Sequence, residues 1–154
     1  MIKNILLLSL VFFYGCSEPE DLHILDPVDM EFSIALEKWN NKAIDSYTFD
    51  LSVSCYCMFE TMPPWTIKVV KNKLKTIDGK DVTEQQLENN FWFALTIGEL
   101  FSIIENKLSS NPFIYTSKYD SEYGFPVDVF FDMDDMIADE EIGYSISSFK
   151  LNPP

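Results

Sequence analysis

The stretch Tyr47-Thr-Phe-Asp-Leu-Ser-Val-Ser-Cys-Tyr-Cys57 alternates apolar and polar residues without a break. A period of two places Tyr47, Phe49, Leu51, Val53, Cys55 and Cys57 on one face of a strand, with Thr48, Asp50, Ser52, Ser54 and Tyr56 on the other. One dry face and one wet face are what an antiparallel sheet shows when it is covered on a single side. The segment therefore predicts such a sheet, and its surroundings should supply the cover.

Upstream, Phe32, Ala35, Leu36, Trp39 and Ala43 recur at the spacing of a helix with one buried face, from about Asp29, which can cap its start. Downstream, Met62-Pro63-Pro64 breaks the strand. Strands over 65–70 and 74–77 then flank Lys71-Asn72-Lys73, where asparagine tolerates the left-handed conformation of a tight hairpin, and Asp78-Gly79 closes the second of them. Thr96-Ile-Gly-Glu99 is a capping box, with Leu95 and Leu100 placed as a hydrophobic staple, and the helix it opens runs through Phe101, Ile104 and Leu108 to Asn111-Pro112. Strands near 113–119, 127–132 and 144–151 follow, the first turn between them being Tyr123-Gly-Phe-Pro126. The order is helix-βββ-helix-βββ. It predicts one α+β domain over residues 29–152, with two helices packed on one face of a meandering antiparallel sheet of about six strands. Trp39 and Phe101 fall on the two apolar stripes and should anchor the helices to the sheet.

Composition limits the function. The chain carries 11 lysines, no arginine and 25 acidic residues, a formal charge of −14. Without guanidinium forks, and with a field that repels polyanions, it is not built for nucleic acid. An apolar content of 47% is enough for a packed core, so the charge does not imply a disordered chain. The one histidine, His23, precedes the predicted domain, which leaves no imidazole base within it.

The N-terminus reads as an address. Lys3, the apolar run from Ile5 to Phe13, and Gly15 directly before Cys16 resemble the signal peptide and lipobox of bacterial lipoproteins. The run is too short to span a bilayer. On this reading residues 1–15 are removed, Cys16 carries the lipid, and residues 16–28 form a tether, acidic at its start. The protein would then sit in the cell envelope, anchored to the membrane through that lipid. Outer-membrane sorting, facing the periplasm or the cell surface, is compatible with the residues after Cys16.

Trp39, Ile44-Asp-Ser-Tyr47 with Phe49, Cys55-Tyr-Cys57, Val69, the Thr96 helix with Leu100-Phe101, Gly124-Phe-Pro126, Asp132 and Asp139-Glu-Glu141 together resemble the bacterial domain-of-unknown-function 6174 family over roughly residues 30–151. The resemblance implies a secreted or lipid-anchored protein and no known activity.

Three groups could carry chemistry. Cys55 and Cys57 share a strand face, and an oxidising envelope favours their pairing. In extended backbone their Cα atoms would stand about 6.6 Å apart, near the upper limit for a disulfide, so a bulge or bend at Tyr56 is required. Buried thiols are the alternative, and redox exchange a further one. Asp132, Asp134, Asp135, Asp139, Glu140 and Glu141 gather hard oxygen ligands suited to weak calcium binding, although Met136, Ile137 and Gly143 break the EF-hand spacing and a solvated acidic turn fits better. Lys68, Lys71, Lys73, Lys75 and Lys80 could face an anionic surface or simply keep a sheet edge soluble. Asn90-Phe-Trp-Phe93 reads as a core plug. With no nucleophile motif and no phosphate loop, no catalytic residue or cofactor is expected. The reading is a non-enzymatic envelope lipoprotein that binds or scaffolds another envelope protein, with an inhibitor-like variant, and with a thiol-redox protein using Cys55 and Cys57 as the competing class.

Overall fold

The computed structural model describes residues 27–56, 64–83 and 94–152. Helix α1 (Pro27–Lys42) leads into β1 (Tyr47–Cys55), β2 (Trp65–Val70), β3 (Lys73–Ile77) and β4 (Lys80–Asp81). Helix α2 (Ile97–Leu108) precedes β5 (Ile114–Tyr119), β6 (Pro126–Asp132) and β7 (Ile142–Leu151). The fold is α+β, and its seven strands form one antiparallel sheet in the order β4-β3-β2-β1-β7-β6-β5.

Three details correct the expectation. Among the described residues the sheet has seven strands rather than about six, because Asp78-Gly79 does not end the first group of strands. Both residues take positive φ and turn the chain into the two-residue β4, too short to leave a periodic signal. The sheet is also not one meander: two meanders are joined where the first strand, β1, pairs with the last, β7. Finally, α1 begins at Pro27 rather than Asp29, proline's missing N–H costing nothing in a first turn, so the helix takes in two residues read as tether.

The core lies between the helices and one face of the sheet. Tyr47, Phe49, Leu51 and Val53 of β1 are buried, and their register partners Val69, Ile67, Ile146 and Tyr144 are buried beside them. Trp39 of α1 sets its ring edge-on to Tyr47 at 5.4 Å and to Phe149 at 6.2 Å. Phe101 of α2 meets Phe32 of α1 edge-on at 6.1 Å and lies parallel to Tyr119 at 6.4 Å. Both helices therefore cover the Tyr47 face, with Trp39 and Phe101 as the expected anchors. The opposite face carries Thr48, Ser52, Thr66, Thr76, Ser145 and Ser147, among other polar residues, and no described helix covers it.

Local rules account for the joints. Lys71 and Asn72, at φ 51° and 60°, form the two-residue turn between the paired Val70 and Lys73, with asparagine where the left-handed conformation is needed. Thr96 and Glu99 complete the capping box: the Glu99 amide donates to Thr96 Oγ1 at 3.2 Å, and the Thr96 amide donates to Glu99 Oε2 at 2.7 Å. Ser148, at φ 54°, lies where the β1–β7 register shifts and lets Phe149 stay in the core.

The turn between β5 and β6 docks on α1. Asp120 Oδ1 accepts the amides of Glu122 and Tyr123, and Lys38 Nζ donates to the Ser121 carbonyl at 3.0 Å. Gly124 (φ +87°) lies so close to α1 that a Cβ there would sit 2.5 Å from the Ala35 carbonyl oxygen. Only glycine meets both the conformation and the approach. Among the described residues, no helix is long and apolar enough to cross a membrane.

Candidate functional site

Register brings two of the sequence candidates together. Cys55, last residue of β1, pairs with Ile142, first of β7, directly after Glu141. Phe131 in turn pairs with Ile142, and Ile114 with Asp132. One end of the sheet thus collects the end of β1, the start of β5 and the acidic connection from β6 to β7, segments far apart in the chain.

Several large apolar side chains at that end are exposed. Tyr56 is 78% exposed and Met136 85%, and Phe113, Ile114 and Ile137 are exposed with them. These five are more than half of the large exposed apolar residues among those described, and the others (Met30, Ile34, Val70 and Leu151) are spread over the helix and the sheet. Large apolar side chains gathered at one place, rimmed by polar groups, mark an interaction surface, whereas single ones do not.

The connection between β6 and β7 carries six carboxylates, three of which, Asp132, Asp134 and Glu140, hold the loop. Glu140 Oε1 accepts the amides of Met133 and Asp134, the latter at 2.9 Å. Asp134 Oδ1 accepts the Met136 amide at 2.9 Å, and Asp139 adopts φ 73°. Asp132 is raised from its ordinary value by desolvation, by a hydrogen bond shared with Glu140 and by the charges of Glu140 and Glu141, against the lowering effect of the Asp134 amide. Asp135 and Asp139 are exposed. Among the described residues no three acidic, cysteine or histidine side chains converge in metal-ligating geometry. Of the six carboxylates read as calcium ligands, Asp132, Asp134 and Glu140 spend oxygens on backbone amides of the loop.

Cys55 is half-buried at the end of β1, and the strand stops there because the chain bends at Tyr56. The alternation predicted through Cys57 is seen as far as Cys55, its last residue lying outside the described ones. Cys57 and the anchor candidate Cys16 lie outside the described residues, as do His23 and Asn90-Phe-Trp-Phe93. The lysine group is elsewhere: Lys68, Lys71, Lys73, Lys75 and Lys80 are all exposed on the β2–β4 side of the sheet, where Lys75 pairs with Asp81 at 3.5 Å. Lys80 stands on the edge strand β4, and Lys73 and Lys75 on β3 beside it.

Phe113, Met136 and Ile137 were missed by sequence reasoning as a surface. Their residue types equally suit a core, and only the register shows that they share one end of the sheet.

No curated protein and no solved structure matches the chain. A family model described as "Family of unknown function (DUF6174)" matches residues 31–151, which takes in every described element except the first turn of α1. The chain belongs to the DUF6174 family.

Proposed function

We propose that this is a non-enzymatic lipoprotein of the bacterial envelope, a binding or scaffolding domain that contacts a partner protein through the end of the sheet. The observation that carries the reading is that Tyr56, Phe113, Ile114, Met136 and Ile137, each exposed, lie on three separate segments at the same end of the sheet. Such side chains cost solubility unless something covers them, and aromatic and methionine residues are the types enriched at protein interfaces. An inhibitor-like role is a variant of the same contact, in which covering the partner blocks it.

The anchor in this reading is lipid on Cys16, with the residues before α1 as tether. Cys55 is cross-linked to Cys57: the bend at Tyr56 supplies the departure from extended backbone that such a close pair needs. Its role is structural, fixing the end of β1 beneath Tyr56.

The reading is tested by changing Phe113 and Met136 together to serine. Both are exposed, so the melting temperature should hold, while retention of the partner in detergent-solubilised envelopes should be lost. Retention unchanged in the folded double variant would move the contact elsewhere.

A further inference from the structure

We propose that the lysine-bearing end of the sheet lies against a membrane of anionic phospholipid, which turns the opposite end, with Tyr56 and Met136, away from that membrane. The inference rests on the reading of this chain as a lipid-anchored envelope protein and gives it a second membrane contact.

Register places the lysines. Tyr47, the first residue of β1, pairs with Val69 of β2 and Leu151 of β7, so this end of the sheet gathers the start of β1, the β2–β3 turn and the end of β7. Lys71 lies in the turn and Lys73 directly after it, while Lys68 and Lys150 stand on either side of Thr48. All four are exposed, and among the described residues none of them makes an ion pair. Register partners share a face, so Lys68 and Lys150 belong with Thr48 to the face that no described helix covers.

Blunting a sheet edge does not account for this group. β2 and β7 are interior strands, and Lys68 and Lys150 protect no edge. Two like charges about 10 Å apart across β1 gain from an anion laid over both. The acids at this end are fewer: Asp45, which accepts the Ser46 hydroxyl, and Glu99, which holds the Thr96 amide on the helix side. Asp120 and Glu122 belong to the turn docked on α1. Asp50, Asp78 and Asp81 stand further along the sheet, Asp81 paired with Lys75.

A net charge of −14 does not forbid the contact. The nine residues of β1 span about 27 Å, whereas salt screens charge over about 8 Å. With Lys71 at the headgroups, the carboxylates between β6 and β7 are some three screening lengths away. The membrane therefore attracts the near end and repels the far one, which sets an orientation. The anchor permits it: α1 runs back about 24 Å from Lys42 to Pro27, and residues 17–26 reach at most about 35 Å when extended.

The test uses the full protein, purified from envelopes in detergent and returned to vesicles of phosphatidylcholine, alone or with about one-third phosphatidylglycerol. A water-soluble amine reagent, read residue by residue by mass spectrometry, should label Lys68, Lys71, Lys73 and Lys150 about threefold or more slowly on the anionic vesicles. Lys107, whose ammonium lies over Phe131 toward the other end, should react equally on both. High salt should remove the difference. Lys71→Gln with Lys73→Gln, both exposed, should bring Lys68 and Lys150 back to their rate on neutral vesicles. Equal labelling of the four lysines on the two vesicles, or equal slowing of Lys107, would overturn the proposal. So would poly-glutamate that slows the same four where anionic vesicles do not, which would assign the surface to an acidic protein. The mass of the N-terminal peptide reads the anchor separately. Lipid on Cys16 without protection of the lysines overturns the contact alone, and protection with an unmodified Cys16 supports the contact while contradicting the anchor.

Discussion

The backbone amide of Ile97 donates to the hydroxyl of Tyr47 at 3.1 Å, both groups buried. It ties the first turn of α2 to the first residue of β1. Helix N-termini leave several amides without intrahelical partners. Thr96 serves the Glu99 amide within the capping box, and Tyr47 serves Ile97 from the sheet. Tyr47→Phe keeps the ring and removes the acceptor, so the expected loss is about 1–3 kcal/mol, the cost of a buried donor left unmade. Chemical denaturation of the purified domain checks it, and a variant as stable as the parent would show that the bond contributes nothing.

Alkaline pH should weaken the domain through its buried tyrosines. Burial pushes Tyr47 and Tyr144 up to about 12 and raises Tyr119, where the hydroxyl bond to Tyr115 adds to the effect. A pKa higher in the folded state means that the folded state keeps its proton longer than the unfolded one. The stability involved is complete below the unfolded value near 10 and is lost as pH rises toward about 12. Denaturation midpoints should be flat through pH 9 and fall beyond 10, less steeply in Tyr144→Phe. An equal slope in that variant would contradict the assignment.

Gly124 and Gly79 form a matched pair. Both have positive φ, but a Cβ at Gly79 meets nothing within 4 Å, whereas at Gly124 it meets the backbone of α1. Gly79→Ala should cost about 1–2 kcal/mol, from conformation alone. Gly124→Ala should add a clash of about 1–3 kcal/mol, since the contact is a carbonyl oxygen that cannot swing away. Equal losses in the two variants would show that the β5–β6 turn does not press on α1.

Trp39→Ala should cost about 3–5 kcal/mol, a large share of the stability of a domain this size. The indole joins Tyr47, Phe125 and Phe149 under α1. An unchanged melting temperature would mean that α1 does not depend on this contact.

Those contacts also show what the sequence could tell. Alternation marked β1, periodicity marked the faces of both helices, and Thr96 and Glu99 marked the start of α2, because each signal is local. The pairing of Cys55 with Ile142 was not legible, since nothing in either segment names its neighbour. β4 was missed because two residues are too few for a period. The end of β1 at Cys55 depends on the bend at Tyr56, where alternation continues in the sequence while the backbone turns. The exposed end of the sheet was hidden for the same reason: Phe113 and Met136 have core-like chemistry, and only the tertiary structure places them outside.

Lipid anchorage gives a separate expectation. Cys16→Ser should move the protein from the membrane to the soluble fraction, and mass spectrometry of the wild-type N-terminus should find acyl chains. Full membrane retention of the variant, with an unmodified wild-type cysteine, would contradict the anchor.

The contact surface itself is tested most directly by photo-crosslinking in intact cells from single positions. A photoreactive residue at Met136 or Phe113 should give one shared adduct with the same partner protein. The same residue at Lys71, on the lysine-bearing side, or at Ser147, on the open face, should not. Equal adducts from all four positions, or the partner captured only from Lys71 or Ser147, would contradict the claim that the end of the sheet is the binding surface.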